Sequence, residues 1–167
     1  DGDGYGDAAV TDIDCYQPSG YVADATDCDD SNGTTYPGAD EYCDGHDDNC
    51  DGDIDEDTSV DVSTWYADSD SDGYGDASTI DLECYQPSGY VTDDTDCDDR
   101  DADISPGATE ICDEIDNDCD GDIDSADADV DTSTGTTWYA DRDEDGYGDA
   151  DNTASDCEVP SGYTSDS

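Results

Sequence analysis

The sequence predicts a mostly irregular chain with short β-strands, an elongated tandem-repeat array with little hydrophobic core. Three observations predict it. First, a long motif recurs: Asp68-Ser-Asp70-Ser-Asp72-Gly-Tyr-Gly-Asp76 returns as Asp141-Arg-Asp143-Glu-Asp145-Gly-Tyr-Gly-Asp149. The chain also opens on the same motif, as Asp1-Gly-Asp3-Gly-Tyr-Gly-Asp7. Asp3, Asp72 and Asp145 hold the same place in the three versions, the second interval being slightly longer than the first. Second, 53 of 167 residues are acidic against two basic ones, Arg100 and Arg142, for a formal charge of −51, and phenylalanine and methionine are absent. Self-repulsion on that scale opposes any compact state. Ordering the backbone costs about 1–2 kcal/mol per residue, which so little apolar surface does not offset. Third, Cys15, Cys28, Cys43 and Cys50 recur at the first of these intervals as Cys84, Cys97, Cys112 and Cys119, and Cys157 follows Cys84 at the second. An acidic disordered tail has this composition, but it does not place cysteines, glycines and aromatics at matching offsets in successive copies.

Three copies follow one another: residues 1–64, cut at its front, residues 65–137, and a partial copy at residues 138–167. The chain reads as a window onto a longer array whose units contact mainly their neighbours. The extra four residues fall in the join after Cys119, where the stretch 131–137 reads as a surface loop that tolerates length change. Ser63-Thr-Trp-Tyr-Ala67 and Thr136-Thr-Trp-Tyr-Ala140 read as short strands feeding the acidic loops. Pro18-Ser-Gly20-Tyr-Val22, Pro87-Ser-Gly89-Tyr-Val91 and Pro160-Ser-Gly162-Tyr163 read as turns, the first two followed by short strands. Aspartate and glycine at this density oppose helix. Nine cysteines in so polar a chain, without zinc-type spacing, indicate disulfides in an oxidising compartment. Local pairing is expected, Cys15–Cys28, Cys43–Cys50, Cys84–Cys97 and Cys112–Cys119, with Cys157 left over.

Carboxylates two residues apart, followed by a glycine that lets the chain turn sharply, suit a hard, oxygen-seeking cation, and calcium above all. The first candidate loop places Asp68, Asp70 and Asp72 at positions 1, 3 and 5 of a calcium loop, the Tyr74 carbonyl at position 7 and Asp76 at position 9. Its counterparts are Asp141, Asp143, Asp145, Tyr147 and Asp149, and, at the front, Asp1, Asp3, Tyr5 and Asp7. Position 12 holds Thr79 or Asn152 instead of a glutamate, so a remote carboxylate is expected, with Asp14, Glu83 and Asp156 as candidates. The second loop comprises Asp116, Asp118, Asp120, Asp122 and Asp124, matched by Asp47, Asn49, Asp51, Asp53 and Asp55. The third candidate combines Asp27 and Asp29 with Glu41, and Asp96 and Asp98 with Glu110, the glutamate returning after a Pro-Gly turn.

Trp-Tyr-Ala-Asp-x-Asp-x-Asp-Gly-Tyr-Gly-Asp, Pro-Ser-Gly-Tyr, Asp-Cys-Asp-Asp, Pro-Gly-Ala and Asp-Cys-Asp-Gly together resemble the "putative metal-binding motif" repeat of large secreted or surface proteins of bacteria such as myxobacteria and planctomycetes. The resemblance covers essentially the whole chain. The acidic loops are also similar to thrombospondin type 3 repeats, in which calcium and disulfides replace a hydrophobic core. Arg100 stands in the Asp96 loop where the first copy has Ser31, a departure that argues against a further ligand there. Some members of the bacterial family are described as copper proteins. This chain has one histidine, His46, with Ile115 at its place in the next copy, and no methionine; carboxylate and carbonyl donors suit calcium.

These readings lead to an extracellular or cell-surface structural repeat, rigidified by Ca2+ and acting as a stalk, adhesin arm or filament. The alternative is a calcium-storing or mineral-nucleating acidic matrix protein. Seven divalent ions, one per candidate loop, would leave most of the −51 charge in place. Self-association into fibres through calcium bridging is one way to neutralise the rest. An enzyme is not expected, since no cluster breaks the repeat to mark a unique catalytic centre. Nucleic acid is excluded by the sign of the charge, and no apolar run approaches transmembrane length.

Overall fold

The computed structural model describes residues 1–167. Six strands form two small sheets: β1 (Ser63–Ala67), β2 (Asp76–Glu83) and β3 (Tyr90–Val91) in the order β2-β1-β3, then β4 (Thr136–Ala140), β5 (Asp149–Asp156) and β6 (Tyr163–Thr164) in the order β5-β4-β6. Two single 3-10 turns, Asp124–Ala126 and Thr132–Thr134, are the sole helical segments. The rest is turns and irregular backbone, as the composition implies.

The strands expected at 63–67 and 136–140 form, and so does the short one after the second Pro-Ser-Gly turn; the third turn, too, is followed by a strand, which was not expected. β4 pairs antiparallel with β5 from Thr136↔Asp156 to Ala140↔Asp149, with a register shift after Tyr139, and with β6 at Tyr139↔Thr164. In the first copy, residues 21–22 follow the turn without forming a strand. The two longest strands, β2 and β5, escape sequence reading because they are polar and rich in aspartate. They owe their conformation to the Trp-Tyr strand beside them. Trp65 donates its indole N–H to the Glu83 carbonyl at 3.0 Å, and Trp138 repeats this to Asp156 at 3.1 Å.

Two compact units result, residues 1–65 with 81–88, and residues 66–80 with 89–167. Apolar burial is slight: Ile104 and Ala140, both in the second unit and both 7 % exposed, are the buried hydrophobic residues. The most buried large side chain of the molecule is a carboxylate, Glu110, at 1 %. Each unit is therefore ordered by hydrogen bonds and covalent links more than by a core.

The disulfides correct the local pairing. Cys28 bonds Cys50, Cys97 bonds Cys119, Cys43 bonds Cys84 and Cys112 bonds Cys157, leaving Cys15 free and exposed. The backbone explains both kinds of bond. Cys50 and Cys119 hold positive φ, 57° and 60°, inside the tight acidic loop. That turns Cys50 toward Cys28, whose own N–H and Sγ lie 3.2 Å from Cys50 Sγ and the Asp47 carbonyl. Cys43 faces away from this loop, donating its N–H to Asp61 at 2.8 Å, and Cys112 likewise to the Thr134 hydroxyl at 2.9 Å. Each therefore meets the cysteine of the following copy. Removing the 22-residue link by the double substitution Cys97→Ser/Cys119→Ser should lower stability by about 3 kcal/mol. Non-reducing peptide mapping checks the pairing directly, and recovery of a Cys112–Cys119 peptide would contradict this arrangement.

Candidate metal centre

The acidic loops share one backbone. Position 4 and the position-6 glycine both take positive φ: Ser71 and Gly73 in one loop, Glu144 and Gly146 in its copy, Cys119 and Gly121 in the second kind. Side-chain carboxylates hold this shape by accepting N–H groups a few residues ahead. Asp68 Oδ1 accepts from Ser71 at 2.7 Å and Asp72 Oδ1 from Tyr74 at 2.9 Å. Asp116 Oδ2 accepts from Gly121 at 3.0 Å, and Asp118 Oδ1 from Asp120 at 3.3 Å. One oxygen of each carboxylate is thereby occupied, and in Asp72 and Asp116 the other is buried without a partner.

At the first centre, carboxylate oxygens of Asp68, Asp70 and Asp72 lie within 4.8 Å of one another, and those of Asp70, Asp96 and Asp99 do the same. The remote carboxylates are thus Asp96 and Asp99, and not Glu83. Asp96 is tied in by its N–H to the Gly75 carbonyl at 3.2 Å, and Asp99 by accepting the Ser69 N–H and hydroxyl at 2.7 and 2.6 Å. The first copy repeats the arrangement: Asp1, Asp27 and Asp30 cluster, and the Asp27 N–H donates to the Gly6 carbonyl at 3.2 Å. The Asp-Cys-Asp-Asp motif therefore completes the first loop instead of forming a third site with Glu41 or Glu110.

Those glutamates belong to the second loop. Glu110 Oε2 accepts the Asn117 N–H at 2.7 Å and Oε1 the Asp124 N–H at 2.8 Å. Glu41 does the same for Asp48, Asn49 and Asp55 at 2.9, 3.0 and 3.3 Å. Glu110 also clusters with Asp116 and Asp118, and Asp118 clusters with Asp120 and Asp127. Asp127 and its partner in the first copy, Glu56, were missed by sequence reading. Asp127 had a signal: it is the twelfth residue counted from Asp116, where a calcium loop carries its last carboxylate.

Other expected ligands also accept hydrogen bonds from donors near them. Asp76 accepts from Ser78 and Thr79, Asp29 from Ser31, Asp55 from Gly45 and Tyr85, and Asp124 from Asp113 and Glu114. Asp7 and Asp149 accept from Ala9 and Asp151. Asp53, Asp98, Asp122 and Asp143 are exposed. Asp141 and Asp145 brace the third loop by accepting from Gly146 and Tyr147. The tyrosines pack: Tyr5 stacks on Tyr36 at 5.6 Å, and the Tyr74 ring covers Gly107.

Proton affinities divide the carboxylates in the same way. Asp70 and Asp96 are raised by desolvation and then by their acidic neighbours, chiefly Asp72. Asp118 is raised by desolvation and by Asp120, Asp127 and Glu110. Glu56 is raised too: its own backbone N–H favours the charged form, but desolvation, Asp51 and Glu41 outweigh it. By contrast, hydrogen bonds from Ser31, Tyr85, Ser78 and Ser133 lower Asp29, Asp55, Asp76 and Asp131. Desolvated carboxylates massed together, with buried oxygens that meet no donor, are an arrangement whose charge a bound cation would offset. Unpartnered buried oxygens belong to Asp70, Asp72 and Asp96, to the matching Asp3 and Asp27, and to Asp47's counterpart Asp116.

The family model described as "Putative metal-binding motif" matches residues 27–56 and again residues 96–125. The chain carries this motif as a tandem repeat. Each match runs from the Asp-Cys-Asp-Asp stretch to the end of the second loop, so it spans Asp96, Glu110, Asp116, Asp118 and Asp120 and stops short of Asp127. The family's label refers to copper binding. No curated protein and no solved structure matches the chain. No helix is long and apolar enough to cross a membrane.

Two outcomes follow. Glu110→Ala would strand the buried Asn117 N–H and the half-buried Asp124 N–H and should cost about 3 kcal/mol, readable by denaturant unfolding. A carboxyl whose folded pKa lies above its unfolded value binds more protons when folded, so its stabilising effect is present at low pH and lost as pH rises through that range. With chelator present, the melting temperature should therefore climb as pH falls from 7 to about 5, within the carboxylate range. Divalent metal should invert that slope, because protons compete for the ligands. A melting temperature that falls with pH in chelator over this interval contradicts the assignment of the raised group.

Proposed function

We propose that the protein is a calcium-binding extracellular structural repeat, whose ion-filled loops and disulfides stiffen it as a stalk, adhesin arm or filament segment. The observation that carries this reading is the recurrence of the same orphaned oxygens in successive copies, Asp3 with Asp72 and Asp27 with Asp96. A purely structural carboxylate would turn both oxygens to donors or to water. A hard cation supplies what these buried oxygens lack, at the point where their mutual repulsion is greatest.

The donor set favours calcium over copper. The donors clustered around Asp1, Asp70, Glu110 and Asp118 are all carboxylate oxygens. Eight of the nine cysteines are in disulfides, methionine is absent, and His46 is exposed and bonded to Asp44 at 2.9 Å. Copper prefers imidazole or soft sulfur. Disulfide density supports an oxidising, extracellular setting. A structural role fits better than a catalytic one, because the carboxylates recur with the repeat.

Isothermal titration of the disulfide-intact protein with calcium, and separately with copper(II), tests the reading. Calcium should bind at several sites, with affinities of roughly 10⁻⁴–10⁻³ M or tighter, and should confer protease resistance that chelator abolishes. A store would load calcium without that gain in resistance. Copper binding at the same sites with calcium excluded would overturn the assignment.

A further inference from the structure

Asp127 lies just beyond the second stretch that the family model matches. It is 5 % exposed. Its Oδ1 accepts the Asp129 N–H at 2.6 Å, while Oδ2 is buried with no partner of any kind. That leaves a carboxylate, itself almost wholly removed from water, beside the carboxylates of Asp118 and Asp120. Burying a charged oxygen among like charges is costly unless a cation meets it.

The path of the chain differs between copies at this point. In the first copy, Val60 donates its N–H to the Glu41 carbonyl at 2.8 Å; in the second, Asp131 donates to Glu110 at 2.8 Å. These bonds mark equivalent points, and the stretch from Glu110 to Asp131 is longer than the stretch from Glu41 to Val60. Part of the extra length of the second copy therefore lies before Asp131. It accompanies the 3-10 turn Asp124–Ala126, which ends with the Asp127 N–H on the Asp124 carbonyl at 3.0 Å. The first copy has no acid at its twelfth position, which is Thr58, and reaches in with Glu56 from the tenth. It also has Asn49 where the second copy has Asp118, with the Asn49 amide 3.4 Å from Glu56 Oε1.

We propose that Asp127 is the closing ligand of a five-carboxylate centre with Glu110, Asp116, Asp118 and Asp120, which takes a hard divalent cation. Resting on the calcium reading above, this centre is the tighter of the two second-loop centres. Five carboxylates face the ion, against four and an amide in the first copy, and ligand charge is what raises affinity at such sites. Binding there also fixes the segment from Asp127 to Asp131, through which the chain leaves the loop and enters the join.

The test is calcium titration of the full disulfide-bonded chain carrying Asp127→Asn, with Asp129→Asn as a control for the same loss of charge at an exposed neighbour. Asp127→Asn should weaken one calcium site roughly tenfold or more, while Asp129→Asn leaves every site unchanged. Melting provides an independent readout. In chelator, Asp127→Asn should melt at or above the unsubstituted chain, because one of three crowded charges is gone; in saturating calcium it should melt below it. Equal calcium binding by the two variants, or an equal loss of melting temperature with and without calcium, would make Asp127 a structural residue and overturn the proposal. If the unsubstituted chain binds no calcium, the calcium reading fails first and this inference with it.

Discussion

Carboxylate side chains hold this backbone by accepting its N–H groups, several in the acidic loops with a single oxygen and Glu41 and Glu110 with both. Asp68, Asp72, Asp116 and Asp118 each turn the chain ahead of them in this way. In Asp72 and Asp116 the second oxygen is buried and meets no donor. Repeated at every other residue, the arrangement concentrates negative charge in a small space by the same bonds that give the loop its form. Folding and cation affinity are therefore one property of these loops. A hydrophobic core could not substitute, because Ile104 and Ala140 are the only buried hydrophobic residues.

The disulfides divide the remaining work. Cys97–Cys119 and Cys28–Cys50 staple the Asp-Cys-Asp-Asp stretch, which completes one centre, to the loop that forms the other. Cys43–Cys84 and Cys112–Cys157 close much longer spans, of 41 and 45 residues. The first kind keeps two acidic centres side by side despite their repulsion. The second kind makes each copy depend on the next.

Within one repeating pattern, carboxylates of identical type perform different tasks, and their surroundings decide which. Asp76, with Ser78 and Thr79 donating to it, is held charged and structural. Asp96, desolvated and facing Asp72, Asp70 and Asp99, resists ionisation and calls for a cation. The difference is one of hydrogen-bond supply: donors satisfy the first group locally, and the second group has none left to reach.

The sequence by itself determined the repeat, the acidic loops with their turning glycines, the Trp-Tyr strands, the scarcity of core and the oxygen character of the donors. All of these follow from residue type and short spacing. Tertiary structure alone decided the grouping. The carboxylates of three expected candidate sites gather into two kinds of cluster, because Asp96 and Asp99 approach Asp70, and Glu110 approaches Asp116 and Asp118, across intervening turns whose course residue spacing does not specify. The polar strands β2 and β5 arise from pairing with their neighbours and not from propensity. Cysteine partners likewise followed from positive φ at Cys50 and Cys119 and from the hydrogen bonds that turn Cys43 and Cys112 toward the join. Local chemistry sets which residues can ligate; the path of the chain, bent by its own carboxylates, sets which of them meet.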